Sequence, residues 1–259
     1  MKKSVLTVAL AVAVAGAFAQ DLTSSKGEKY LPEAKDWSIG LDASGVINNI
    51  GSIVSAKSAS GSINGMGGGT NYIIGKMFKD EKTAYRGVLG LNFGSETTKS
   101  LVAAIPATNP TTYVENSVKL SSNEITLGGG LEKRRGTTRL QGYYGGMLLI
   151  NLGGSKTTNT YGNAISASNQ VSNITSSKNG STFGLNAVGF VGAEYFVLPK
   201  VSIGAEYWWG IGFSSTGEGE TVVESWNGTG ITSTTTKTAG GSSFNIGGSY
   251  ASLLVNLHF

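Results

Sequence analysis

From Trp37 onward the chain alternates. Short runs carry an apolar side chain at every second position and a small or polar one between, the period of a β-strand with two unlike faces. Val201, Ile203, Ala205, Tyr207, Trp209, Ile211 and Phe213 lie on one face of such a run, opposite Ser202, Gly204, Glu206, Trp208 and Gly210. The chain ends the same way: Leu253, Val255, Leu257 and the terminal Phe259 share a face, with Asn256 and His258 on the other. Comparable runs occupy residues 37–45, 71–78, 84–95, 118–131, 139–152 and 183–197, and the last spans about 243–259. The pattern predicts eight strands. In the second, the parity with Ile73 and Met77 on the apolar face is preferred, because it turns Lys76 away from that face. Phe244, Ile246 and Tyr250 are out of phase with the final run, so a β-bulge is expected between them and Leu253.

The connections alternate as well. Lys79-Asp80-Glu81-Lys82, residues 132–138 and Leu198-Pro199-Lys200 read as short turns after strands two, four and six. The others are long Ser/Thr/Asn/Gly stretches, one ending in Gly67-Gly68-Gly69 and another holding Pro106 and Pro110. Both chain ends then fall on the side of the short turns. Asn227-Gly228 follows Thr221 to Trp226 and is a two-residue hairpin signal, so a hairpin is expected inside the last long connection.

Composition decides what the apolar faces meet. Charged residues make up 14% of the chain and 39 of 259 residues are glycine, against roughly 25% charged in an average globular protein. In a soluble sandwich the apolar faces would be a core and the other faces a solvated Lys/Glu surface. Here those other faces mix glycine with isolated charges, while the apolar faces carry Trp37, Tyr85, Tyr144, Tyr195, Tyr207, Trp209 and Phe259, as aromatic girdles at a membrane interface would. In lipid an open sheet edge leaves backbone groups unpaired, at several kcal/mol each, so the sheet must close. The expected fold is therefore all-β: an eight-stranded antiparallel up-and-down transmembrane β-barrel.

The N-terminus agrees with export. Lys2 and Lys3 precede an apolar stretch from Val5 to Ala15, and Ala17-Phe18-Ala19 gives a small-x-small cleavage pattern. The stretch is short of the roughly 20 residues a spanning helix needs. Residues 1–19 are read as a cleaved signal peptide, 20–36 as a periplasmic arm and 37–259 as the barrel with long surface loops. Without the two signal lysines the net charge of +4 falls to +2, too weak and dispersed for a nucleic-acid partner.

The inward faces hold the candidate chemistry: Asp42, Lys76, Arg86, Glu124, Glu194 and Glu206. Buried charges must neutralise one another, and an eight-stranded barrel is just wide enough to be filled by side chains. The favoured reading is a polar network that plugs the lumen, and a narrow selectivity constriction is the alternative. The chain has no cysteine and a single histidine, His258, read as an interfacial filler. Neither a metal set nor a Ser-His-Asp triad can be assembled from it, no cofactor is expected, and no enzyme is expected. The glycine clusters at 65–69 and 128–130 lack the Lys-Ser/Thr of a phosphate loop.

The ending Leu253, Val255, Leu257, Phe259 resembles the C-terminal recognition signal of bacterial outer-membrane β-barrels, whose last residue is typically Phe. Residues 76–91, where Lys76 precedes Met77 and Phe78, an acidic turn follows and an inward Arg86 opens the next strand, are similar to a strand–turn–strand element of the porin-family small outer-membrane proteins. In architecture the chain resembles the small OmpX/OmpA-like barrels. The resemblance implies a bacterial outer-membrane location with both termini periplasmic. It further implies outer-membrane lipids and the barrel assembly machinery as partners, with Phe259 as an assembly address. Trp37, Tyr85, Tyr207 and Trp209 would be interface aromatics. A structural or surface-interaction role through the loops, with an extracellular or envelope partner, is the functional expectation, and a narrow passive channel for ions or small solutes the alternative.

Overall fold

In a computed structural model of the chain the described residues are 22–42, 71–105 and 112–259. The expected signal peptide, the end of the first run at 43–45, the loop through Gly69 and the connection holding Pro106 and Pro110 lie outside them. Alternation at a period of two lets the backbone pair as strands, and the described residues form strands over most of their length. Eleven strands follow in order: β1 (Trp37–Asp42), β2 (Asn71–Asp80), β3 (Thr83–Ala103), β4 (Tyr113–Arg135), β5 (Leu140–Thr160), β6 (Asn173–Lys178), β7 (Thr182–Leu198), β8 (Val201–Thr216), β9 (Gly219–Trp226), β10 (Ile231–Thr238) and β11 (Gly241–His258). All belong to one antiparallel sheet.

Eight of them close into a ring, β1–β2–β3–β4–β5–β7–β8–β11 and back to β1. Trp37 exchanges backbone hydrogen bonds with Phe259, so the two ends of the sheet are sewn together at the chain terminus. The closure is staggered. Opposing partners from Trp37 through Met77, Tyr85, Leu131, Gly146, Gly189 and Trp209 arrive at Ser249, ten residues before Phe259 on the same strand. A stagger of that size over eight strands tilts them by about 40° from the ring axis.

Parity sorts every side chain. Leu41, Leu127, Leu148 and Val191 point outward and are each more than 50% exposed, while Ile74, Val88, Met147, Leu149, Phe190, Trp208 and Leu254 fill the interior with Tyr143. The preferred parity of β2 holds: Ile73 and Met77 are exposed and Lys76 is buried. The bulge falls at Gly247, between Ile246 and Gly248, with φ of +91° that a side chain rarely adopts. It precedes Tyr250, which therefore turns inward with Leu254 and packs against Tyr72 and Trp208.

Three strands are longer than their alternation suggested. β3, β4 and β5 run past the ring's upper end, the end away from the three short turns. There β7 leaves β5 at the pair Gly153–Thr182, and β6 takes its place opposite residues 156–158. β9 and β10 follow, so a sheet of β3–β4–β5–β6–β9–β10 rises from one side of the ring and ends at β10. The hairpin expected around Asn227-Gly228 is β9–β10, but β6 lies in what the sequence presented as an unstructured Ser/Thr/Asn loop. Hydroxyl-rich sequence carries little apolar alternation, and only pairing with a neighbour makes it a strand. Among the described residues the count is thus eleven strands, eight of them in the ring.

At the lower end residues 22–36 lie against the short turns. Tyr30 sits beneath the Arg139 guanidinium, 3.5 Å from its ring centroid. The Lys35 amide donates to the Phe78 carbonyl at 2.8 Å, and Lys200 pairs with Asp36. Tyr30 and Pro32 are buried there.

Candidate functional site

The lower half of the ring encloses a layer of charge. Lys76 from β2, Arg86 from β3, Glu132 and Arg134 from β4, Glu194 from β7 and Glu206 from β8 all point inward, and none exceeds 3% exposure. Arg86 grips Glu206 through both terminal nitrogens at 2.6 Å each, the bidentate geometry that a planar guanidinium favours. Glu132 is the hub. It accepts from Lys76 at 2.8 Å, Arg134 at 3.0 Å and Arg86 at 3.5 Å. Arg134 reaches on to Glu194, whose other oxygen accepts from Ser202 and Asn256 at 3.0 Å each. Three cations meet three carboxylates, so the layer is neutral, the condition for holding charge out of water.

Aromatic groups close it above and below. Arg86 lies 4.3 Å from the Phe190 centroid and Lys76 4.5 Å from that of Tyr143, while Trp208 donates its indole N–H to Glu206. Beneath, Phe78 and Phe196 flank His258 at 5.7 and 5.1 Å, and Arg134 stands 5.2 Å from Phe78. Such cation–π contacts strengthen when water is excluded. Inward glycines make room for these large side chains. A Cβ on Gly192 would stand 2.5 Å from the Tyr143 ring, and one on Gly128 2.2 Å from Leu149. The space at these two inward glycines is occupied.

Of the six charges expected in a lumen network, Lys76, Arg86, Glu194 and Glu206 come together. Asp42 and Glu124 do not join them. Asp42 accepts from the Tyr250 hydroxyl, and Glu124 belongs to an upper amide–hydroxyl chain in which Asn186 donates to Asn151 at 2.6 Å and Asn151 to Thr126 at 2.7 Å. An open cavity of about 640 Å³ lies above that chain, lined by Asn123, Glu124, Asn151, Ser177, Thr221 and Thr238 among others. Glu132 and Arg134 correct the sequence reading, which placed them in a charged turn. β4 runs to Arg135, and the turn is left to the residues after it. The signal was present: the inward parity of Glu124, Thr126, Gly128 and Gly130 continues unbroken to Glu132 and Arg134. His258 is corrected too. It is buried between two phenylalanines, 3.3 Å from the Ser202 hydroxyl, rather than filling an interface.

On the outside, Trp37 packs against Phe259 with centroids 5.5 Å apart, and Met77 stands opposite both Trp37 and Tyr85 on its two neighbouring strands. Tyr207 and Trp209 are outward and half exposed but stand midway along β8. Leu257 is exposed, whereas Leu253 and Val255 on the same face are partly covered. Among the described residues no group of three or more His, Cys, Asp or Glu side chains is placed to hold a metal ion, and no helix is long and apolar enough to cross a membrane. Each carboxylate of the buried layer is engaged by cationic or hydrogen-bond donors. The layer is thus built to lock strands together. In comparisons with known proteins the chain matches no family model, no curated sequence and no solved structure.

Proposed function

We propose that the chain is an integral outer-membrane β-barrel without enzymatic activity, whose filled lumen is structural and whose upper sheet works at the cell surface. The observation that carries this is its inside-out arrangement: charge fully enclosed at the centre of an eight-strand ring, and large apolar side chains exposed around its outside. Water would penalise such an exterior, since soluble monomers rarely leave apolar patches beyond a few hundred Å² uncovered, whereas lipid requires it. The even strand number, the tilt of about 40° and the alternation of short lower turns with long upper connections fit the same reading. The lower end then faces the periplasm, with residues 22–36 as its arm and Phe259 as an address for the assembly machinery.

The working surface is the sheet β6–β9–β10. Its last strand, β10, is exposed along its whole length and has a neighbour on one side alone among the described residues. Its Thr-rich run carries no proline, no bulge within its pairing to β9 and a single charge, Lys237, so it has few of the protections that edge strands normally use. An extended segment of an extracellular or envelope protein would pair with it through backbone hydrogen bonds. The narrow-channel alternative has the charge layer against it.

The first test is gel mobility of detergent-folded protein with and without boiling, followed by planar-bilayer recording. A compact band that shifts on boiling, with no conductance, is expected. Identical migration would remove the barrel, and steady ion conductance would remove the plug in favour of a channel.

A further inference from the structure

We propose that three lysines on the outward face of the sheet, Lys119, Lys156 and Lys178, bind the phosphate groups of anionic lipids in the leaflet around the upper rim; this rests on the membrane-barrel reading. Lys156 on β5 continues the outward line of Leu148, Ile150 and Leu152, and Lys178 on β6 stands directly opposite it. Lys119 on β4 is opposite Thr158, which makes it the diagonal neighbour of Lys156. Side chains directly opposite in an antiparallel pair are about 5 Å apart at Cβ and diagonal ones about 7–8 Å, and like charges so placed repel.

No carboxylate stands opposite or diagonal to Lys156, where the repulsion from Lys178 and Lys119 meets. All three lysines are exposed, and among the described residues none is in an ion pair, whereas Lys99 pairs with Glu115 at 2.8 Å and Lys237 with Glu218 at 3.1 Å. Residues 43–70 and 106–111 contain no Asp or Glu at all, so those segments supply no counter-charge either. Glu220, opposite Lys178 on β9, is the carboxylate that shares the rung, and it stands between Lys178 and Lys237. An anion from outside the chain completes the site.

Height selects the source of that anion. Lys156 is four residues beyond Leu152, about 13 Å along a strand and about 10 Å in height after tilt. Lysine stems that fold back toward the apolar belt bring their ammonium groups to headgroup level. A phosphate bearing net negative charge answers several convergent ammonium groups, and each lysine near an anionic surface adds roughly fivefold to the attraction.

The test compares wild type with Lys119→Gln/Lys156→Gln/Lys178→Gln in phosphatidylcholine vesicles, with and without phosphatidic acid, by the temperature at which the compact gel band is lost. Phosphatidic acid should raise that temperature in wild type by about 5 °C. The rise should be less than half as large in the variant, and high salt should abolish the difference. A second variant, Lys156→Glu, should be more stable than wild type in phosphatidylcholine alone, because it faces Lys178 and lies diagonal to Lys119, and should respond less to phosphatidic acid. Equal rises in all three proteins, or none in wild type, would overturn the proposal. Inorganic phosphate giving the same rise without anionic lipid would overturn the lipid assignment. Absence of a compact wild-type band in plain phosphatidylcholine would instead overturn the membrane reading, before any anionic lipid is added.

Discussion

Glu132 accepts from Lys76, Arg86 and Arg134, so neutralising it strands excess positive charge in a closed space. Glu132→Gln is expected to cost about 3–5 kcal/mol, the range for breaking a buried ion pair from one side, measured by urea unfolding of the folded protein. Arg86→Met combined with Glu206→Leu removes both partners of one pair and should cost less than Arg86→Met alone, since no unpaired charge is left at Glu206. A double variant as unstable as the sum of the singles would mean that the pair is not the unit of stability. Steric fit gives a second prediction at this scale. Gly192→Ala drives a Cβ into the Tyr143 ring and should destabilise by about 1–3 kcal/mol. Tyr143→Leu in the same protein should recover part of that loss, and absence of recovery would place the strain elsewhere.

The elements were legible to different depths. Strands in the ring carry apolar alternation over most of their length, because one face meets the outside and the other the packed interior, and their parities follow from the sequence directly. Glu132 and Arg134 were lost to the turn reading because runs of charge between strands usually mark solvent-exposed turns; here the same residues line the lumen by simple continuation of parity. β6 was not legible at all, since its Asn/Thr/Ser sequence has no face to choose until β5 and β9 lie beside it. The arm at 22–36 yields an element-scale prediction about pH. Burial raises the Asp36 carboxyl, but the hydrogen bonds from Lys200 and the Glu33 amide outweigh it and hold the pKa below its ordinary value of 3.8. A depressed carboxylate contributes stability that is complete above its ordinary value and lost as pH falls through the folded one. The arm should therefore loosen from the β7–β8 turn below about pH 4, seen as faster hydrogen exchange at the Lys35 amide after correction for intrinsic rate. Asp36→Asn should be equally loose at pH 6 and at acid pH; a wild-type arm whose protection does not change with pH would refute the linkage.

For the molecule as a whole, closure is the decisive event. The pair Arg86–Glu206 joins residues 120 apart in sequence and Trp37–Phe259 joins the first and last ring strands, so stability depends on contacts that exist together or not at all. Removing Phe259 should take away the aromatic contact with Trp37 and that backbone pairing, lowering the unfolding temperature and the yield of compact, heat-modifiable protein, while leaving isolated β-structure by circular dichroism. Unchanged yield would show that the seam is not needed for closure. The amino-acid order by itself determined that the chain is all-β, which face of each ring strand is apolar, where the turns after β2 and β7 fall and that isolated charges point the other way, because side-chain period and turn chemistry are local properties. Which charges meet was decided by the tertiary structure alone. The ten-residue stagger sets the height of every inward residue relative to those on distant strands, and it is this register that gathers Lys76, Arg86, Glu132, Arg134, Glu194 and Glu206 into one neutral layer and leaves Asp42 and Glu124 above it.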